Sequence, residues 1–91
     1  MGEPVEAKEF DVRIGSVVAA EGGRAVVKIR AHRLHPNWAH IYYACDGQFN
    51  AVAVLERGAH ANKSCVLFEI KSGSARPGDT VFLKQIPPEN S

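Results

Sequence analysis

HIYYACDGQFNAVAVLE, residues 40–56, is the stretch on which the fold turns. Read as strands, HIYYAC and QFNAVAVLE flank Asp46-Gly47, a dipeptide suited to the positive-φ positions of a tight hairpin, and Tyr, Phe and Val fit a pleated, half-buried surface. Read as a helix, Ile41, Ala44, Cys45, Phe49, Val52 and Ala53 fall on one face at the 3.6-residue period. Gly47 inside that helix costs about 1 kcal/mol relative to alanine, and Asp46 is a poor interior residue. The adjacent Tyr42 and Tyr43 and the run Val52, Val54, Leu55 favour the hairpin.

The flanking sequence has the same character. Val12–Glu21 (VRIGSVVAAE) and Arg24–Ala31 (RAVVKIRA) enclose Gly22-Gly23, where a two-residue turn needs positive φ twice. On the second strand Ala25, Val27 and Ile29 share one face and Arg24, Val26, Lys28 and Arg30 the other, so one side meets a core and one meets water or a ligand. Arg33–Ala39 contains Pro36 and the only tryptophan, Trp38, and reads as a connecting loop whose indole packs over the core or makes a contact. Ser64–Lys71 (SCVLFEIK) alternates Val66, Phe68 and Ile70 against Leu67, Glu69 and Lys71, as a half-buried strand does. Arg76-Pro77-Gly78-Asp79 places proline second and glycine third in a turn before the last strand, Thr80–Ile86. Six strands and short turns predict an all-β fold, a small six-stranded antiparallel barrel whose closure removes exposed edges. The alternative is an α+β fold with a helix at 40–56.

Ninety-one residues make about one domain, and 45% hydrophobic with 23% charged residues is globular usage. A membrane-spanning helix needs about 20 successive apolar residues, far more than any run here, and Met1–Glu9 is too polar for a signal segment. A small soluble cytoplasmic domain over 12–86, with no membrane partner, is the expectation. Residues 1–11 and 87–91 read as flexible tails. The formal charge of +1 hides a split. Residues 1–11 hold four acids and one base and residues 87–91 one acid, so the body 12–86 has ten bases against five acids, a net +5. An anionic partner therefore fits the body, and the acidic tail could screen it in that partner's absence.

Cys45 and Cys65 are too few for a disulfide-dependent secreted domain and read as free thiols. His32, His35, His40 and His60 lack metal-ligand spacing, since His35, His40 and Cys45 stand five apart and alternate between faces of a strand. No metal and no cofactor are expected. A nucleophilic cysteine would need a base such as His60 beside it, and a cysteine in an apolar strand is normally inert core. Gly22-Gly23 joins strands, without the helix a phosphate loop requires.

The succession Ile14-Gly-Ser-Val-Val18, glycine turn, Ala25-Val-Val-Lys-Ile29, Asp46-Gly47, Val52-Ala-Val54, Lys63-Ser-Cys-Val66 and Ala75-Arg-Pro-Gly-Asp-Thr-Val81 resembles the small C-terminal β-barrel of the flagellar assembly protein T family and its bacterial relatives. Ser64 and Gly78-Asp79-Thr80-Val81 stand at the corresponding places. The resemblance covers nearly all of 12–86 and implies a non-catalytic interaction module. Independently of it, a core this small is only marginally stable alone, so self-association that covers outer apolar residues such as Val26 and Leu67 is expected. A rival resemblance is to the hotdog-fold thioesterases, with 37–56 as the central helix. It implies an acyl thioesterase in which Asn37 or His40 polarises the thioester carbonyl and Asp46 orients or activates water. That family's His-Gly-Gly is absent, residues 38–40 being Trp-Ala-His, and its fold needs about two more strands after Ile86.

A third reading comes from the residues themselves. Arg13, Arg24, Lys28, Arg30 and Arg33 cluster on the first hairpin and its exit, followed by Trp38, Tyr42, Tyr43 and Phe49. Basic surfaces with stacking aromatics bind single-stranded nucleic acid. The candidate binding residues are therefore Arg24, Lys28, Arg30, Arg33, Trp38 and Tyr42, for a protein, an anion or a nucleic acid.

Overall fold

The computed structural model describes residues 11–87 apart from 32, 35 and 36. Its strands are β1 (Asp11–Glu21), β2 (Arg24–Ile29), β3 (Ala39–Cys45), β4 (Ala51–His60), β5 (Cys65–Gly73) and β6 (Thr80–Ile86). All pairings are antiparallel and close a barrel in the order β1-β2-β5-β4-β3-β6. β3, β4 and β5 are joined by successive hairpins and β6 returns beside β3, which is a Greek key.

The deciding stretch is thus two strands and a turn, and the helix at 40–56 required by the α+β alternative and the hotdog resemblance is absent. The turn differs from the expected two-residue form. Cys45 pairs with Ala51, the Asp46 N–H donates to Asn50 O (3.0 Å), and the Phe49 N–H donates to Asp46 O (2.9 Å). This is a three-residue loop, Gly47 to Phe49, and the positive φ of 64° falls on Phe49 rather than Gly47. Asp46 Oδ1 accepts from the Gln48 and Asn50 N–H groups at 2.9 and 3.0 Å. Those donors prefer the charged carboxylate and hold its pKa below the ordinary value.

The other turns match the sequence. Gly22 and Gly23 have φ of 62° and 78° and connect the pair Glu21–Arg24. Across Pro77-Gly78 the Asp79 N–H donates to Arg76 O at 3.0 Å with Gly78 at φ 97°, and Arg76 N–H is capped by Asp79 Oδ2. Strand ends shift by one to four residues: β2 stops at Ile29, β4 runs to His60 and β5 to Gly73. Residues 1–10 and 88–91, most of the expected tails, lie outside the described residues, as do His32 and His35; Asp11 opens β1.

Alternation builds the core. Ala25 and Val27 from β2, Val66 and Phe68 from β5, and Val81 and Leu83 from β6 point inward and are buried with Ile14 and Val17. In β1 the two buried residues stand three apart, because register shifts at Arg13–Gly15 and Val17–Ala19 interrupt the period of two. Such bulges bend a strand and increase its twist, as closure demands. Gly15 lies where a Cβ would overlap the Lys28 carbonyl, so β1 and β2 approach closely at this bend. Among the described residues no helix is long and apolar enough to cross a membrane.

Candidate anion-binding groove

The end of β2 supports the site. The Ile29 N–H donates to Ser64 O, in the β4–β5 turn, and the Arg30 N–H donates to Ile14 O of β1, each at 2.8 Å. These two bonds hold the exit of β2 between β1 and the β4–β5 turn. On one side lies a cleft of about 190 Å³ lined by Arg13, Gly15, Ser16, Lys28, Ile29 and Arg30. On the other lies one of about 420 Å³ lined by Ile29, Arg30, Ala31, Leu34, Arg57, His60 and Lys63. Ile29 and Arg30 line both, so the two clefts meet at the exit of β2 and together make up the candidate groove. Its described lining contains five formally cationic side chains and one histidine, and no carboxylate.

Only part of the sequence-predicted set meets there. Lys28 and Arg30 line the groove, whereas Arg24 sits about 20 Å away at the other end of β2, from the rise of an extended strand. Arg24 lies across the ladder from Glu69 and lines a different cleft with Glu56, Glu69 and Arg57, the last of which borders the groove as well. Both acids are engaged by Lys71, at 3.2 Å to Glu56 and 3.9 Å to Glu69. The Glu56 hydrogen bond and the field of both carboxylates raise the Lys71 pKa, although pairs this exposed contribute little to stability. Arg33 is exposed beside Leu34, and Trp38 is half-buried ahead of β3.

Tyr42 is corrected outright as a stacking surface. It is 7% exposed and its ring meets Phe68 in the core, edge to face, at 5.1 Å. The aromatics presented outward are its neighbour Tyr43, with Phe49 and Phe82. Val26 and Leu67 face each other across the β2–β5 ladder, both half-buried.

The residues implied by the thioesterase resemblance are not assembled. Asn37 is exposed before β3, His40 lies near the start of β3, and Asp46 follows its end, about 20 Å from His40 along the extended chain. Asp46 Oδ1 is occupied by the turn. His40 Nε2 is buried with no hydrogen-bond partner among the described residues. Cys45 is buried, Cys65 is half-buried and both are free thiols. Among the described residues no three His, Cys, Asp or Glu side chains gather as a metal site would require.

Sequence reading left Arg57, His60 and Lys63 out of the binding set, because it ended the fourth strand at Glu56; the Greek key carries the extension back to the end of β2. It also missed Phe82, which the alternation Val81-Phe82-Leu83 marks as outward. Comparison with protein-family models, curated proteins and solved structures finds no match for this chain, so its own geometry is the ground for a functional reading.

Proposed function

We propose that this chain is a non-enzymatic interaction module that binds an anionic partner in the groove between β1, the exit of β2 and the β4–β5 turn, and that it self-associates. The supporting observation is the convergence of Arg13, Lys28, Arg30, Arg57, His60 and Lys63 on one groove whose described lining holds no carboxylate. Concave clusters of one charge focus the field and raise the local concentration of counter-charged ligands. An interaction role is also what the resemblance to the flagellar assembly protein T barrels implies.

The wild-type chain is expected to bind heparin at about 50 mM salt and to release it steeply as salt rises. Lys28→Glu with Arg30→Glu is expected to weaken that binding by more than about tenfold, since removing two positive charges and adding two negative ones costs at least about 1.4 kcal/mol of attraction. Both side chains are exposed, Lys28 on β2 and Arg30 just past its end, so melting temperature should hold. Fluorescence anisotropy measures it, and equal affinity of wild type and double variant sinks the groove.

Self-association is supported by Val26 and Leu67, paired outward on a face that a second copy would cover. Sedimentation velocity at micromolar and submillimolar concentrations is expected to show a concentration-dependent dimer. A monomer throughout rejects this half of the reading.

A further inference from the structure

Beside the groove, the outer face of the barrel carries three aromatic rings in contact. Tyr43 and Phe82 stack with centroids 5.6 Å apart and planes 15° apart, and Phe49 meets Phe82 edge-on at 6.5 Å. Tyr43 lies between buried Tyr42 and Ala44, and Phe82 between buried Val81 and Leu83, so both rings project outward. Arg13, a groove residue, is the register partner of Phe82 across the β1–β6 ladder. Lys84 shares the outer face of β6 two residues along. A cationic groove therefore runs directly into an aromatic surface flanked by cations.

Phe49 carries a second, independent signal. It is 72% exposed, and among the described residues it alone combines a side chain with positive φ. The third position of this loop suits glycine, so a phenylalanine there strains the backbone and holds a large apolar ring in water. Such strain is characteristic of residues kept for contact rather than for stability. Asp46, the acid in the same turn, has its Oδ1 engaged by two backbone N–H groups.

We propose that the anionic partner is a single-stranded nucleic acid, with phosphates along Arg13, Lys28 and Arg30 and a base stacked on Phe49 against the Tyr43–Phe82 pair. This rests on the groove reading above and adds the aromatic surface to it. An unpaired strand offers both a charged backbone and free base faces, the two chemistries that adjoin here. A duplex keeps its base faces stacked on one another, and the Asp and Glu side chains of an acidic peptide carry no ring to stack on an exposed phenyl.

The test uses the full chain and fluorescence anisotropy at about 50 mM salt, with labelled oligothymidylate of about 15 nucleotides, a duplex of equal length and polyglutamate as probes. Phe49→Gly is expected to weaken oligothymidylate binding about tenfold, to leave polyglutamate binding unchanged, and to melt no lower than wild type because glycine suits φ at this position. Phe49→Trp is expected to retain single-strand binding. Lys28→Glu with Arg30→Glu is expected to weaken binding of every probe. Unchanged oligothymidylate affinity in Phe49→Gly overturns the stacking proposal and leaves the groove standing. Duplex or polyglutamate binding as tight as the single strand overturns it in favour of that partner class. Failure of the wild type to bind any of the three overturns both readings.

Discussion

Phe68→Ala is expected to destabilise the barrel by about 3–5 kcal/mol, the range for removing a buried phenylalanine ring. Phe68 is 0% exposed and lies in β5 between Ala25 of β2 and Arg57 of β4. Its ring supports the edge of Tyr42, so truncation opens a void and removes an aromatic contact together. Its neighbours in the core sit on strands already paired in a closed ladder, so little collapse can fill the space. Whole domains of this size have stabilities of about 5–15 kcal/mol, and a small core lies toward the lower end. The loss should therefore lower the melting temperature by more than about 10 °C. Phe68→Leu keeps most of the volume and should cost markedly less. Urea unfolding followed by tryptophan fluorescence reads both, and a midpoint for Phe68→Ala close to wild type would contradict a core centred on this ring.

Gly73→Ala is expected to cost about 2–4 kcal/mol, from adding a Cβ at positive φ and from displacing packed backbone. Gly73 has φ of 80° at the end of β5. A Cβ there would overlap the Val52 carbonyl oxygen and lie 2.9 Å from Ala53 Cα, both on the adjacent β4. Ser74 N–H donates to that same carbonyl at 3.0 Å, so the approach cannot relax without losing the bond that begins the path to β6. Gly22→Ala is the internal control. Its φ of 62° is as unfavourable for alanine, but nothing lies within 4 Å of its would-be Cβ. Only the conformational cost of about 1–2 kcal/mol remains there. Thermal melts should rank wild type above Gly22→Ala and Gly22→Ala above Gly73→Ala, and equal losses at the two glycines would refute the close approach.

How much was legible depended on whether a feature was local. Gly22-Gly23 and Arg76-Pro77-Gly78-Asp79 specify their turns through φ preferences within four residues, and both formed as read. The alternation in β2 and β5 assigned inward and outward faces because the pleat repeats every two residues. Asp46-Gly47 marked a real turn but not its form. The side-chain oxygen of Asp46 captured two backbone donors and lengthened the loop by one residue, shifting the positive φ onto Phe49. The spacing in β1 was not legible at all, because its two register shifts answer to closure against both β2 and β6.

The candidate site divides in the same way. Lys28 and Arg30 stood out because they alternate with a buried face on one strand. Arg24, on the same outer face, looked equivalent, and only the pairing with β5 placed it beside Glu69 at the far end. Tyr42 and Tyr43 are adjacent in sequence and opposite in space, so one fills the core and the other stacks outside.

By itself, then, the sequence determined an all-β chain: strand faces follow from side-chain periodicity and turns from φ preferences, both short-range properties. The tertiary structure alone decided which charges meet. Arg57 and Lys63 share a cleft with Arg30, and Phe82 pairs with Arg13 across a ladder, although the residues brought together are more than twenty positions apart in sequence. That pairing is set by closing six strands over one core, which no local pattern encodes.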